Sequence, residues 1–153
     1  MADVVDPATR SRMMSGIRGK NTKPELMIRK ALHARGFRYR LHCKLPGKPD
    51  LCLPKYRAVI FVHGCFWHGH DCHLFKWPST RPEFWREKIA RNRAVDAAAE
   101  EKLLADGWRV ATVWECALKG RERKPPDQLV IRIAEWLKSD DQRLRIRGEG
   151  KQA

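Results

Sequence analysis

The stretch Ala58-Val59-Ile60-Phe61-Val62-His63-Gly64-Cys65-Phe66-Trp67-His68 joins an unbroken apolar run to a polar, aromatic segment that has no period. The first five residues have the length and the branched or aromatic character of a strand covered on both faces. Such a strand belongs inside a sheet that carries helices on both sides. Downstream, Pro82-Glu83 opens a helix that runs to the Asp106-Gly107 stop, and Trp108 to Trp114 reads as another strand. Leu129, Ile133, Trp136 and Leu137 then mark one face of a last helix after Pro125-Pro126. Upstream, Phe37-Arg38-Tyr39-Arg40-Leu41 alternates with period two, Pro46-Gly47-Lys48-Pro49 makes a turn, and a second strand begins at Asp50. Thr22, Pro24 and Glu25 form a capping box that opens a first helix with the apolar face Met27, Ile28, Ala31 and Leu32, ending at Gly36. The order helix, three strands, helix, strand, helix predicts an α/β single domain with a central mixed β-sheet flanked by helices. Residues 1–20 read as a basic arm or short helix, 21–138 as the folded domain, and 139–153 as a loose polar tail.

The chain has 153 residues, enough for one core and one domain. Lysine and arginine number 32 against 18 acidic residues, a net charge of +14, which calls for a polyanionic partner. The cations are spread through globular segments, and no apolar run approaches the roughly 20 residues that span a bilayer. Nucleic acid, not a membrane, is therefore the expected partner. The N-terminus lacks the basic and apolar blocks of a secretory signal, so the expected compartment is a reducing cytoplasm. There the five cysteines serve metal ligation or burial, not disulfides.

Cys65, His70 and Cys72 lie within eight residues, a spacing that lets one loop wrap three ligands around a zinc ion. Cys116, just beyond the strand ending at Trp114, is the first candidate for a fourth. Cys43, Cys52, His63, His68 and His73 are its rivals. A closed site of four protein ligands is structural and offsets the ordering entropy of an aperiodic loop.

Asp50 stands at the start of a strand, where a carboxylate can project toward a divalent ion, and the next strand runs into His63 and His68. Magnesium on such a carboxylate would neutralise a phosphate, and a histidine near its ordinary pKa of about 6.5 would take a proton from attacking water. Glu25 fits the capping box best on pattern, with a second acid at the metal as the other reading. Phe66, Trp67 and Trp85 suit wedges between bases; the other reading packs Phe66, Trp67 and Trp77 together as a small satellite core around the metal loop. Trp108, Trp114 and Trp136 fit the core pattern and take no binding role.

The run from Phe61 to His68 with His70 and Cys72, preceded by Pro46-Gly47-Lys48-Pro49-Asp50, resembles the very short patch repair (Vsr) endonucleases. Asp6 to Ser11, Arg81 to Ile89, Gly107 to Val110 and Val113 to Leu118 extend the resemblance over almost the whole chain. It implies a restriction-endonuclease-like fold and a nick 5' of the thymine in a T:G mismatch left by deaminated 5-methylcytosine. By matching positions it implies Asp50 and the Val62 carbonyl as magnesium ligands, His68 as general base, and His63 and Glu25 as assisting groups. It likewise implies structural zinc on Cys65, His70, Cys72 and Cys116, with Phe66, Trp67 and Trp85 intercalating beside the mismatch. Implied partners are mismatched double-stranded DNA, mismatch-repair proteins and a linked cytosine methyltransferase, for a monomer in a bacterial-type cytoplasm on the nucleoid. Two positions depart from the pattern: Val62 stands where threonine is familiar, and Gly69 where histidine is common. The alternatives are a zinc-stabilised DNA-binding protein without catalysis and a restriction-type nuclease cutting both strands.

Overall fold

The computed structural model describes residues 23–41 and 43–148. The basic arm 1–20 and the capping residue Thr22 lie outside the described residues. Helix α1 (Lys23–Ala34) buries Ile28 and Leu32 completely. Its exit is closed by Phe37, whose N–H donates to the Leu32 carbonyl at 3.0 Å. That bond keeps the chain in a helix-ending turn, so strand β1 is only Arg40–Leu41, shorter than the alternation from Phe37 predicts. Phe37 packs instead into the core against Tyr56, ring centroids 5.6 Å apart.

Strands β2 (Leu51–Leu53), β3 (Ala58–His63), β4 (Arg109–Trp114) and β5 (Arg143–Ile146) complete a five-stranded sheet of order β1-β2-β3-β4-β5. The first three strands are antiparallel neighbours, while β3, β4 and β5 run parallel. Helix α2 (Pro82–Ala105) joins β3 to β4, and helix α3 (Pro126–Leu137) joins β4 to β5. The central strand is buried from Ala58 to Phe61, as its apolar run predicts. Its even-numbered side chains, with Ala111 and Val113, pack under α1 and α3 against Ile28, Leu32, Leu129, Ile133 and Leu137. Val59, Phe61 and Val110 pack on the other face, against Leu103 of α2. Each large aliphatic side chain fully buried in these layers contributes roughly 1.5 to 3 kcal/mol.

The expected loose tail is corrected by β5. Arg143 to Ile146 pair with Val110 to Val113, and Ile146 is fully buried. Only Leu144 and Ile146 carry the apolar signal there, between arginines whose guanidinium groups reach Glu100 of α2 at 3.3 Å (Arg143) and 2.8 Å (Arg145). Arg109 ties α3 to the sheet by donating to the Trp136 and Leu137 carbonyls at 3.0 and 2.8 Å, which satisfies carbonyls left open at the helix end. What matters for function is the register of the parallel pair. His63 lies opposite Trp114, so the chain leaves both strands at one end of the sheet, with Cys65 and Cys116 each two residues further on.

Candidate active site and metal centre

Cys65, His70, Cys72 and Cys116 place one ligand atom each within 4.8 Å of all the others. The Sγ atoms of Cys65 and Cys116 both lie 3.6 Å from His70 Nδ1. With Zn–S near 2.3 Å and Zn–N near 2.05 Å, the edge of a tetrahedron is about 3.6 Å, so the donor set fits a tetrahedral zinc ion. The loop is shaped for it by bonds from the His70 N–H to the Cys65 carbonyl and from the Cys72 N–H to the His70 carbonyl, both 2.9 Å. Gly148, just past β5, donates its N–H to Cys116 Sγ at 3.2 Å. Burial pushes the Cys65 and Cys116 thiols up and the His70 imidazole down, so a cation is what would hold the sulfurs as thiolates. Cys116 is the fourth member, as expected. The rivals Cys43 and Cys52 lie together on the α2 side of β2, where burial lifts the Cys52 thiol to about 12, with Cys43 beside it.

Trp114, read from the sequence as a core residue without a binding role, packs against the site. Its ring stacks on His70 at 4.0 Å and 10°, and it meets His63 and His68 edge-on at 5.3 and 6.0 Å. One indole thus braces the metal loop and the imidazoles together.

The carboxylates gather beside the carboxyl end of β3. The Val62 N–H donates to Asp50 Oδ2 at 2.6 Å, and the Asp50 N–H donates to the Ile60 carbonyl at 3.0 Å. Glu25, only 2% exposed, is ion-paired with Arg29 one turn on and lies beside Asp50. Burial, then the Glu25 charge, pushes the Asp50 carboxyl from 3.8 up to about 7, against the pull of the Val62 amide. Two crowded carboxyls beside the backbone of Val62 could hold a hard divalent cation, while the capping partner Thr22 lies outside the described residues. A cavity of about 460 Å³ lined by Glu25, Lys44, Lys48 and Asp50 opens onto them.

The imidazoles lie on the α2 side. His63 and His68 stack with centroids 3.8 Å apart and planes 7° from parallel. His68 Nδ1 is hydrogen-bonded to Asp96 Oδ2, leaving Nε2 as its other ring nitrogen. Burial, then His68, holds the His63 imidazole down at about 3, and its buried Nδ1 has no hydrogen-bond partner. His63, His68 and Asp96 have the residue types of a metal site, but an ion binds in the plane of an imidazole. Two nearly parallel planes this far apart share no such position, so the arrangement suits proton transfer better than ion binding. Asp50 and the imidazoles thus both border the last residues of β3, Asp50 at the Val62 amide and His68 against the His63 ring.

Asp96 is the residue that sequence reasoning missed. The inner stripe of α2 runs Ile89, Asn92, Asp96, Ala99 and Leu103, and two polar residues on such a stripe are the signal that was available. Asn92 uses its position to donate to the Trp67 carbonyl at 2.8 Å. Gly69 also has a structural account: a Cβ there would lie 2.6 Å from Ile89 Cγ2 at a φ of +61°, so the bare backbone lets the loop sit on α2.

Phe66, Trp67 and Trp85 are half-buried and mutually packed, with Phe66 5.2 Å from both indoles and the indoles 5.8 Å apart. Trp77 does not join them in a satellite core. It is 51% exposed and touches Phe75 instead.

Residues 2–74 match the family model described as DNA mismatch endonuclease Vsr. The chain is 45% identical to the DNA mismatch endonuclease Vsr of Escherichia coli (strain K12) over 151 residues, covering 98% of this chain and 97% of that protein. It is 50% identical to the type II nicking enzyme V.XorIIP of Xanthomonas oryzae pv. oryzae over 119 residues, 77% of this chain and 88% of that protein. Among solved structures, the catalytic domain of the homing endonuclease I-Bth0305I superposes with a TM-score of 0.51 at 21% identity, covering 77% of this chain and 97% of that one. That last likeness concerns the fold alone, whereas identity over nearly the full length of both chains decides membership: this chain belongs to the Vsr family of DNA mismatch endonucleases.

Proposed function

We propose that this DNA endonuclease nicks one strand of a duplex, 5' of the thymine in a T:G mismatch, and so starts very short patch repair. The observation that carries the reading is the presence of two unlike groups at the end of β3: Asp50 held by the Val62 amide, and His68 oriented by Asp96. A single carboxylate-and-base set of this kind suits one phosphodiester at a time. Asp50, the Val62 carbonyl and Glu25 would hold magnesium, which when bound neutralises charge on the scissile phosphate. His68 takes the proton of the attacking water at Nε2, because Asp96 accepts the Nδ1–H and sets the tautomer. His63, kept neutral by burial, lies flat against His68 and adds no positive charge behind the base. Cys65, His70, Cys72 and Cys116 would hold zinc, which when bound would fix the loop that carries Phe66, Trp67 and His68. Phe66, Trp67 and Trp85 enter the stack at the mismatch, where opening a base step costs least.

The fold is read as that of the restriction-type endonucleases. The protein acts as a monomer on nucleoid DNA in the cytoplasm, alongside mismatch-repair proteins and a cytosine methyltransferase that creates the lesion's precursor. Among the described residues no helix is long and apolar enough to cross a membrane. The test uses a labelled duplex with one T:G mismatch, its matched counterpart, magnesium or EDTA, and Asp50→Ala. Magnesium-dependent nicking of the thymine strand only, lost in the variant, is expected. Cleavage of both strands of matched DNA would favour a restriction nuclease, and mismatch binding without any nick a non-catalytic protein.

A further inference from the structure

Six aromatic rings form a connected ladder on the surface beside the metal loop. Phe66 packs on Trp67 and Trp85, Phe75 stacks on Phe66 at 5.9 Å and 28°, Trp77 meets Phe75 edge-on at 4.9 Å, and Phe84 meets Trp85 at 5.1 Å. Burial falls outward along it. Phe66, Trp67, Phe75 and Trp85 are half-buried, whereas Trp77 is 51% exposed and Phe84 44% exposed. Arg81 already lies over the Phe84 ring at 4.9 Å, while the indole of Trp77 is left standing at the outer end. Exposed Lys76 precedes Trp77, and exposed Arg81 and Arg86 lie close in sequence, in a chain of net charge +14. An open indole continuous with half-buried rings and bordered by cations has the make-up of a surface that takes a base and its phosphates together.

We propose that Trp77 is a further nucleobase-stacking platform, two rungs beyond Phe66, that contacts a base flanking the opened step and widens the DNA footprint. The proposal rests on the DNA-nicking reading above and adds a residue to it. Phe75, ring-packed on both sides, is the support that fixes the indole's angle. Because Trp77 is half open to solvent and packs on one ring, truncating it leaves the core intact.

The experiment measures binding of the full-length protein to a mismatched duplex in EDTA, which separates binding from nicking. It compares wild type with Trp77→Ala, Trp77→Phe and the control Ile131→Ser, an exposed apolar residue on α3. Stacking on one base corresponds to about 5- to 150-fold in affinity. Trp77→Ala is expected to lose affinity in that range with an unchanged melting temperature and an unchanged salt slope. Trp77→Phe is expected to restore most of the loss, and Ile131→Ser to bind like wild type. A 2-aminopurine probe walked along the flank should show quenching at one position that Trp77→Ala abolishes. Affinity of Trp77→Ala within twofold of wild type, or a loss matched by Ile131→Ser, overturns the proposal. A wild type that binds but never nicks, with Trp77→Ala weakened, sinks the nuclease reading and leaves the platform standing. A wild type that nicks while Trp77→Ala binds normally does the reverse, and no DNA binding at all removes both.

Discussion

Replacing Asp96 by asparagine isolates what the carboxylate does for His68. In the native site Asp96 is hydrogen-bonded to Nδ1, so the imidazole carries its proton there and offers the Nε2 lone pair. An asparagine amide can donate to Nδ1 instead, which favours the opposite tautomer and blocks Nε2 with a proton. The ring itself should stay in place, since it is stacked on His63 at 3.8 Å and held edge-on by Trp114. The change therefore alters the base's protonation state and not its position, and the expected loss is that of general-base catalysis, about 10²- to 10⁴-fold in the single-turnover nicking rate. Both side chains are partly open to water, at 21% and 29%, so the pair contributes on the order of 1 kcal/mol or less to stability and the melting temperature should barely move. Binding to mismatched DNA should also be unchanged. Single-turnover rates, binding by anisotropy and thermal melts are measured on Asp96→Asn and Asp96→Glu, the latter recovering part of the rate. An Asp96→Asn enzyme that nicks within threefold of wild type at equal affinity would refute the reasoning.

Two further outcomes follow from the charges at the site. With its carboxyl raised from 3.8 to about 7, Asp50 holds its proton more tightly in the folded state than in the unfolded one. The metal-free protein should therefore lose stability as pH rises from about 4 to about 7, and magnesium affinity should climb about tenfold per pH unit until it levels above pH 7. Calorimetric titrations and melts with and without magnesium check both signs, and Asp50→Asn should flatten both curves. Removal of metal from the four-ligand cluster should release one zinc equivalent and lower the melting temperature, and Cys116→Ser should reproduce both effects. A purified wild type free of zinc with unchanged stability would reject the structural-zinc reading.

The strongest local signals survive in the structure because each is set within a few residues. The five apolar residues from Ala58 form a strand wherever they are buried, and the proline-opened helices α2 and α3 begin where Pro82 and Pro126 stand. Cys65, His70 and Cys72 are likewise close enough in the chain for their ligand types to reveal themselves. What the tertiary structure decided depends on groups far apart in sequence. Only the parallel register of β3 and β4 brings Cys116 to the loop, and only the packing of α2 brings Asp96 to His68 across 28 residues. Glu25 comes beside Asp50 because α1 packs on the sheet, a contact that no local pattern encodes. Strand β5 escaped notice because two apolar residues among arginines form a strand only when a neighbouring edge supplies the ladder and Glu100 the counter-charge. Trp77 is the converse case: an indole read as a candidate for a satellite core is left open once the rings behind it have packed on one another. Sequence by itself determined the central strand, the proline-opened helices and the ligand types, which are short-range properties. The joining of acid, base and metal loop at one strand end is a long-range property, set by which faces the helices cover.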